Sequence, residues 1–138
     1  MKVGFTGTRR GLSDDQAAAL HELLQHLSAD EWHHGDAVGA DADFHAMVEG
    51  RGIPVIGHPS DIPHQRAYCR VDQCRNPLPP LDCSTAIVMV TDLIVGCPGG
   101  MYEEDRSWTW STIRKARRVR KPILLVWPDG SVTSENCD

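Results

Sequence analysis

The chain has 138 residues, 41% of them apolar, and a formal net charge of −5, enough sequence for one domain with a real core. The acidic balance argues against general affinity for nucleic acid. No segment approaches the ~20 apolar residues of a membrane span, and the N-terminus lacks the apolar h-region and small-residue cleavage site of a secretory leader. Five cysteines, an odd number in a chain that needs no staples, read as reduced thiols in a cytoplasmic protein.

Residues 2–6 are short and partly apolar and run straight into Gly7-Thr8-Arg9-Arg10-Gly11, a first strand ending in a turn. Ser13 is an N-cap, with Asp14, Asp15 and Gln16 in the first turn where acidic groups favour the helix dipole. Ala17, Leu20, Leu23, Leu24 and Leu27 then follow helical spacing. Residues 31–34 are polar, yet their place between a helix and a glycine-rich turn makes them a strand. Residues 35–41 read as a loop, 40–49 as a short helix and 53–57 as the third strand. This β-α-β-α-β alternation is the signature of a parallel sheet with helical crossovers.

Residues 58–83 break the pattern, with five prolines, three cysteines and little periodicity. Such a stretch in a small domain reads as a lid or excursion. The alternation then resumes: a helix over 85–90, a buried strand over 92–97, a Pro98-Gly99-Gly100 turn, a helix over 106–119 and a last core strand over 122–127. After the Asp129-Gly130 turn the remaining eight residues read as an edge element or tail. The whole chain is expected to be one domain of the Rossmann-like α/β class, a three-layer sandwich of about five parallel strands.

In such a sheet, ligands bind at the carboxyl ends of the strands, where helix N-termini offer free N–H groups. The turns at that edge carry Gly7, Thr8, Arg9 and Arg10, then Gly35, Asp36, Gly39, Ala40 and Asp41, then Pro98, Gly99 and Gly100, with Arg106, Ser107 and Thr109 opening the following helix. Small residues let backbone approach a ligand, and Arg9, Arg10 and Arg106 supply the cationic forks that suit phosphate. Asp41 and Asp36 have two readings each, as acceptors for ribose hydroxyls or as structural groups. The helix-cap role is favoured for Asp41, and Asp36 stays open. Trp110 is assigned to the core. Trp108 is open between packing and stacking on a base.

His58, His64, Cys69, Cys74 and Cys83 are zinc-type donors, but their spacing is irregular and no tight ligand pair is present, so no metal site is expected. His21, His26 and His34 read as surface or packing residues. No Walker lysine or GxGxxG is present, so no cofactor is expected. Residues 114–121 hold six basic side chains in eight; the face of Arg114, Arg117, Arg118 and Lys121 has a weaker reading as a contact for RNA or an acidic partner, and a favoured one as solvated or as a partner for its own helix C-terminus.

Phe5-Thr6-Gly7-Thr8-Arg9, the run from His34 to Ala42 and the run from Arg106 to Arg114 resemble the YspA-like branch of the SLOG superfamily. That Rossmann-like group includes the Lonely Guy phosphoribohydrolases, DprA and nucleotide-sensing domains of phage-defence systems. The likeness covers residues 2 to about 130. It implies a nucleotide-type ligand, strand order 3-2-1-4-5 and often a homodimer. Lonely Guy enzymes cleave the N-glycosidic bond of nucleoside monophosphates with an Arg and a Glu in and near a PGGxGTxxE motif. On that motif Pro98-Gly99-Gly100 is present, a longer insert follows, Thr109 matches the Thr, Trp108 stands at the family's Gly and Thr112 stands at its Glu. Relatives also carry an Arg-Asn pair ahead of the fourth strand, for which Arg75-Asn76 is the candidate.

Glycosidic cleavage needs a carboxylate, a role threonine cannot fill. The chain is therefore expected to bind a nucleotide or nucleotide-derived signal as a sensor or sequestering protein. The alternative is an N-glycosidase that recruits Glu103 or Glu104.

Overall fold

The computed structural model describes residues 1–137. Lys2–Gly7 form β1, and α1 (Asp14–Gln25) follows with Ser13 as its N-cap. The Ser13 side chain accepts from the Gln16 N–H while Gln16 reaches back to the Ser13 N–H, a reciprocal capping box. Gln16 also donates from Nε2 to the Pro98 and Val126 carbonyls at 2.9 and 2.8 Å, which fastens the helix start to the strand ends beneath it. β2 (Glu31–His34), α2 (Ala40–Val48) and β3 (Val55–Gly57) complete the first half.

The excursion is ordered. It holds a 3-10 turn at Pro63–Gln65, a short strand β4 (Gln73–Cys74), and the first turn of α3 (Pro80–Val90), which starts five residues earlier than the apolar pattern placed it. Pro80 in the first turn is the reason, since its fixed φ and missing N–H suit a helix start. Beyond it come β5 (Leu93–Cys97), α4 (Trp108–Arg118) capped by Ser107, β6 (Ile123–Val126) and β7 (Val132–Glu135).

The sheet order is β4-β3-β2-β1-β5-β6-β7. Its middle five strands have the expected parallel order. The two outer strands are additions, β4 parallel to β3 and β7 antiparallel to β6. Side chains alternate across the sheet, so two cores form. Val3, Phe5, Trp32, Val95 and Val126 pack with Leu20, Leu24, Phe44 and Val48 under α1 and α2. Ile94, Ile123 and Leu125 pack with Ile87, Trp110 and Ile113 under α3 and α4. That is the expected three-layer sandwich. Among the described residues, no helix is long and apolar enough to cross a membrane.

Candidate functional site

Every parallel strand ends at the same edge, and the loop after β1 is folded tightly there. Thr8 accepts from the Gly11 and Ala40 N–H groups and donates its own N–H to the Cys97 carbonyl, which joins the starts of α1 and α2 to the end of β5. Two glycines make this closeness possible. At Gly39 (φ 93°) a Cβ would lie 2.3 Å from the Arg9 carbonyl oxygen, and at Gly99 one would lie 2.5 Å from Arg10 Nη2 and 2.7 Å from Thr8 Oγ1.

Between these loops and α3 opens a cleft of about 360 Å³. Of the residues singled out in the sequence, Gly7, Thr8, Arg9, Arg10, Gly35, Asp41, Gly99, Glu104, Arg106, Ser107 and Thr109 line it. Trp108 lines it too, 40% exposed, with the Arg9 guanidinium 5.7 Å from its ring centre. Trp110 is buried in the core as expected. Gly39, Ala40, Pro98 and Gly100 are not in the cleft wall: the first two form the start of α2 behind it, and the Pro98 carbonyl is taken by Gln16.

Four more of the candidate residues lie outside the cleft. Asp36 (φ 53°, 2% exposed) turns away from the cleft, takes the Cys69 N–H at 2.7 Å and pairs with Arg66 at 3.2 Å. It anchors the excursion to the loop after β2. Arg75 and Asn76 lie in a separate hollow between α3 and the β3–β4 edge, because β4, within the excursion, pairs with the outer side of β3. Glu103 is held outside the cleft by Arg114 and Arg117 at 3.0 and 3.1 Å. Those arginines, like Lys115 and Lys121, are thus engaged within the chain, while Arg118 and Arg120 are exposed.

Asp41 is the buried carboxyl group of the cleft wall. It does not cap α2, whose N-cap is Gly39; instead its Oδ2 accepts from the Gly35 and Ala37 N–H groups, each at 3.1 Å, and shapes the preceding loop. Burial pushes its pKa up to about 7, against the pull of those two donors and Arg9. Glu104 lies at the exposed rim, 3.8 Å from Arg10. Thr112 is buried, its hydroxyl 2.9 Å from Ser84 Oγ and 3.1 Å from the Trp108 carbonyl oxygen.

One group of zinc-type donors does come together: His34, His45 and Cys69 bring one donor atom each within 4.8 Å of one another. The hydrogen bonds show how it is already used. His34 Nδ1 accepts from the Asp36 N–H at 2.8 Å, so Nε2 carries the proton and donates to His45 Nδ1 at 3.1 Å. An ion there would need the His34 lone pair that faces Asp36 rather than the cluster. The set is a packing network, and burial holds His34 neutral with a pKa of about 3.

The sequence reading missed the excursion side of the wall: Ser60, Gln65, Pro80, Cys83 and Ser84. Pro79-Pro80 followed by an unbroken helix-compatible run was the available signal for the last three.

No family model matches the chain, and neither does any curated protein. Two solved structures share its fold. The molybdenum cofactor binding protein from the phototrophic bacterium Rippkaea orientalis is 20% identical, with a TM-score of 0.69 over 91% of this chain and 76% of that one. The structural-genomics target TM1055 is 18% identical, with a TM-score of 0.63 over 88% of this chain and 71% of that one. At these identities the likeness is one of fold, and that fold is the Rossmann-like α/β sandwich.

Proposed function

We propose that the chain binds a nucleotide or nucleotide-derived phosphoester in the cleft at the carboxyl edge of its sheet, as a sensor or sequestering protein of the YspA-like SLOG type. The observation that carries this is the meeting of Arg9, Arg10 and Arg106 with Ser107, Thr109 and Trp108 in one cleft. Arginine forks and the Trp108 and Thr109 N–H groups at the start of α4, which the Ser107 cap leaves open, suit a phosphate, and the half-exposed Trp108 face suits a base. That one structural neighbour is named as a cofactor-binding protein fits a ligand-binding role. The same reading places the protein in the cytoplasm, where five free thiols persist, and expects a homodimer.

AMP is the first probe. By isothermal titration, Arg9→Ala and Arg106→Ala should each cost about 1.5–3 kcal/mol of affinity; unchanged affinity in both moves the site elsewhere. Mass spectrometry of small molecules released on denaturing the protein would name the natural ligand. The hydrolase alternative now rests on Glu104, which lines the cleft, and gives up Glu103. Free adenine formed from AMP at a rate lost in Glu104→Gln would establish it.

A further inference from the structure

Across Cys83 from the cleft lies the hollow between α3 and the β3–β4 edge, about 320 Å³ in volume. His58, Arg75 and Asn76 bring polar groups to it, and Leu78, Ala86 and Val90 give it an apolar wall. Behind His58 runs a chain of hydrogen bonds whose direction is fixed by chemistry. The Glu31 carboxylate can only accept, so His33 Nε2, 2.8 Å from its Oε1, carries a proton. Burial lowers the pKa of both imidazoles, His58 to about 4, so both are neutral at pH 7. His33 Nδ1 is then a lone pair and accepts from His58 Nε2 at 2.8 Å. The chain ends on the lone pair of His58 Nδ1, which has no hydrogen-bond partner among the described residues, on a side chain only 5% exposed.

That nitrogen is open to solvent rather than sealed in, so a ligand hydroxyl can take the place of water on it. Beside that acceptor stands a cation. Arg75 Nη1 donates to Gln73 Oε1 at 2.9 Å, which leaves the rest of its fork available, and its charge is near enough to oppose protonation of His58.

We propose that this hollow is a second binding site, separate from the cleft, for a small carboxylic acid that carries a hydroxyl group. The carboxylate pairs with Arg75, the hydroxyl donates to His58 Nδ1, and a short apolar body lies on Leu78, Ala86 and Val90. Glu31 is a positioning residue, holding the His58 tautomer through His33.

Two acids that differ only in the hydroxyl test this: 2-hydroxyisocaproate and isocaproate, titrated into the full chain while the His58 imidazole is followed by NMR. The hydroxy acid should shift His58 saturably and bind about tenfold more tightly than its analogue, the worth of one hydrogen bond. Arg75→Ala, at an exposed position, should abolish saturable binding of both acids and leave AMP titration of the cleft unchanged. Glu31→Leu should erase the preference for the hydroxyl and spare isocaproate binding, a selective change that general loosening would not give. Equal affinity for the two acids, or no saturable His58 shift at millimolar concentration, overturns the proposal whatever the cleft binds.

Discussion

The two halves of the sheet are held together by different physics. Around β5, β6 and α4 the interior is apolar: all five residues of β5 are buried, and Ile94, Trp110, Ile113 and Ile123 close on one another. Charged groups there are pushed outward into the Arg114, Arg117, Glu103 and Glu135 network. Around β2, β3 and α2 the apolar core is shared with a cluster of polar groups, His33, His34, Asp36, Asp41, His45 and His58, all buried. Hydrophobic packing is additive and forgiving of shape-conserving change. A buried hydrogen-bond network is not, since removing one member strands its partner in a low dielectric. The polar half is also the one that shapes the loop after β2 and the excursion wall of the cleft, so the ligand site is set by the less forgiving half.

The sharpest way to break this contrast is at Asp36. Asp36→Ala removes the partner of Arg66 and the acceptor of the Cys69 N–H at once. Loss of one member of a buried ion pair costs about 3–5 kcal/mol. In hydrogen exchange the loss should appear first at residues 58–83 and in the loop after β2, with β5 and β6 still protected at mild denaturant. Uniform loss across the sheet would mean that the two halves are one cooperative unit. Next in size is Ile113→Ala, in the apolar half, expected to cost about 2–5 kcal/mol by denaturant melt. Its effect should be global, without selective opening of the excursion.

The same contrast explains what could be read from the sequence. The apolar half was legible nearly to the residue, because strands buried on both faces read as apolar runs and α4 has a clear polar face. Ser13, Gln16 and the Gly-rich turns were legible because caps and turns carry local chemistry. The polar half was not. Asp36 looks like a ligand residue in any glycine-rich loop, and only the path of the chain from Arg66 to Cys69 makes it an anchor. Asp41 looks like a helix cap, yet its carboxylate turns back onto the loop before the helix. His34 and His45 are eleven residues apart, and their contact depends on the packing of α2 on β2. Long-range hydrogen bonds leave no periodicity to read.

A smaller effect comes from Asp41 by way of pH. Its folded pKa, raised by burial to about 7, lies above the value of about 4 that it has in the unfolded chain. The folded protein therefore binds more protons between these values, and this carboxyl group's contribution is fully present below about pH 4 and lost as pH rises through about 7. His34 and His58 run the opposite way, being neutral when folded, so acidification below about 6.5 favours the unfolded chain. Comparing Tm with that of Asp41→Asn across the range cancels the histidine contribution. The advantage of the native protein over the variant should shrink by several degrees as pH rises from about 4 to about 7; a constant difference would mean that Asp41 is ionised throughout.

The smallest effect is the most discriminating, because it sets the same chemistry in the other half. Arg117 makes four hydrogen bonds to carboxylates, two to Glu135 at 2.7 and 2.9 Å and two to Glu103 at 3.1 and 3.2 Å. Arg66 makes one, to Asp36 at 3.2 Å. By contact alone Arg117 should matter more. By burial it should matter less, since its side chain is 32% exposed and Glu103 is 41% exposed, whereas Asp36 is 2% exposed. Exposed pairs are worth about 0–1 kcal/mol and weaken with salt. Arg117→Ala is therefore expected to cost under about 1 kcal/mol in a denaturant melt, with the loss shrinking further in high salt. If it proves as damaging as Asp36→Ala, the number of contacts rather than their dryness governs these pairs, and the distinction between the two halves falls.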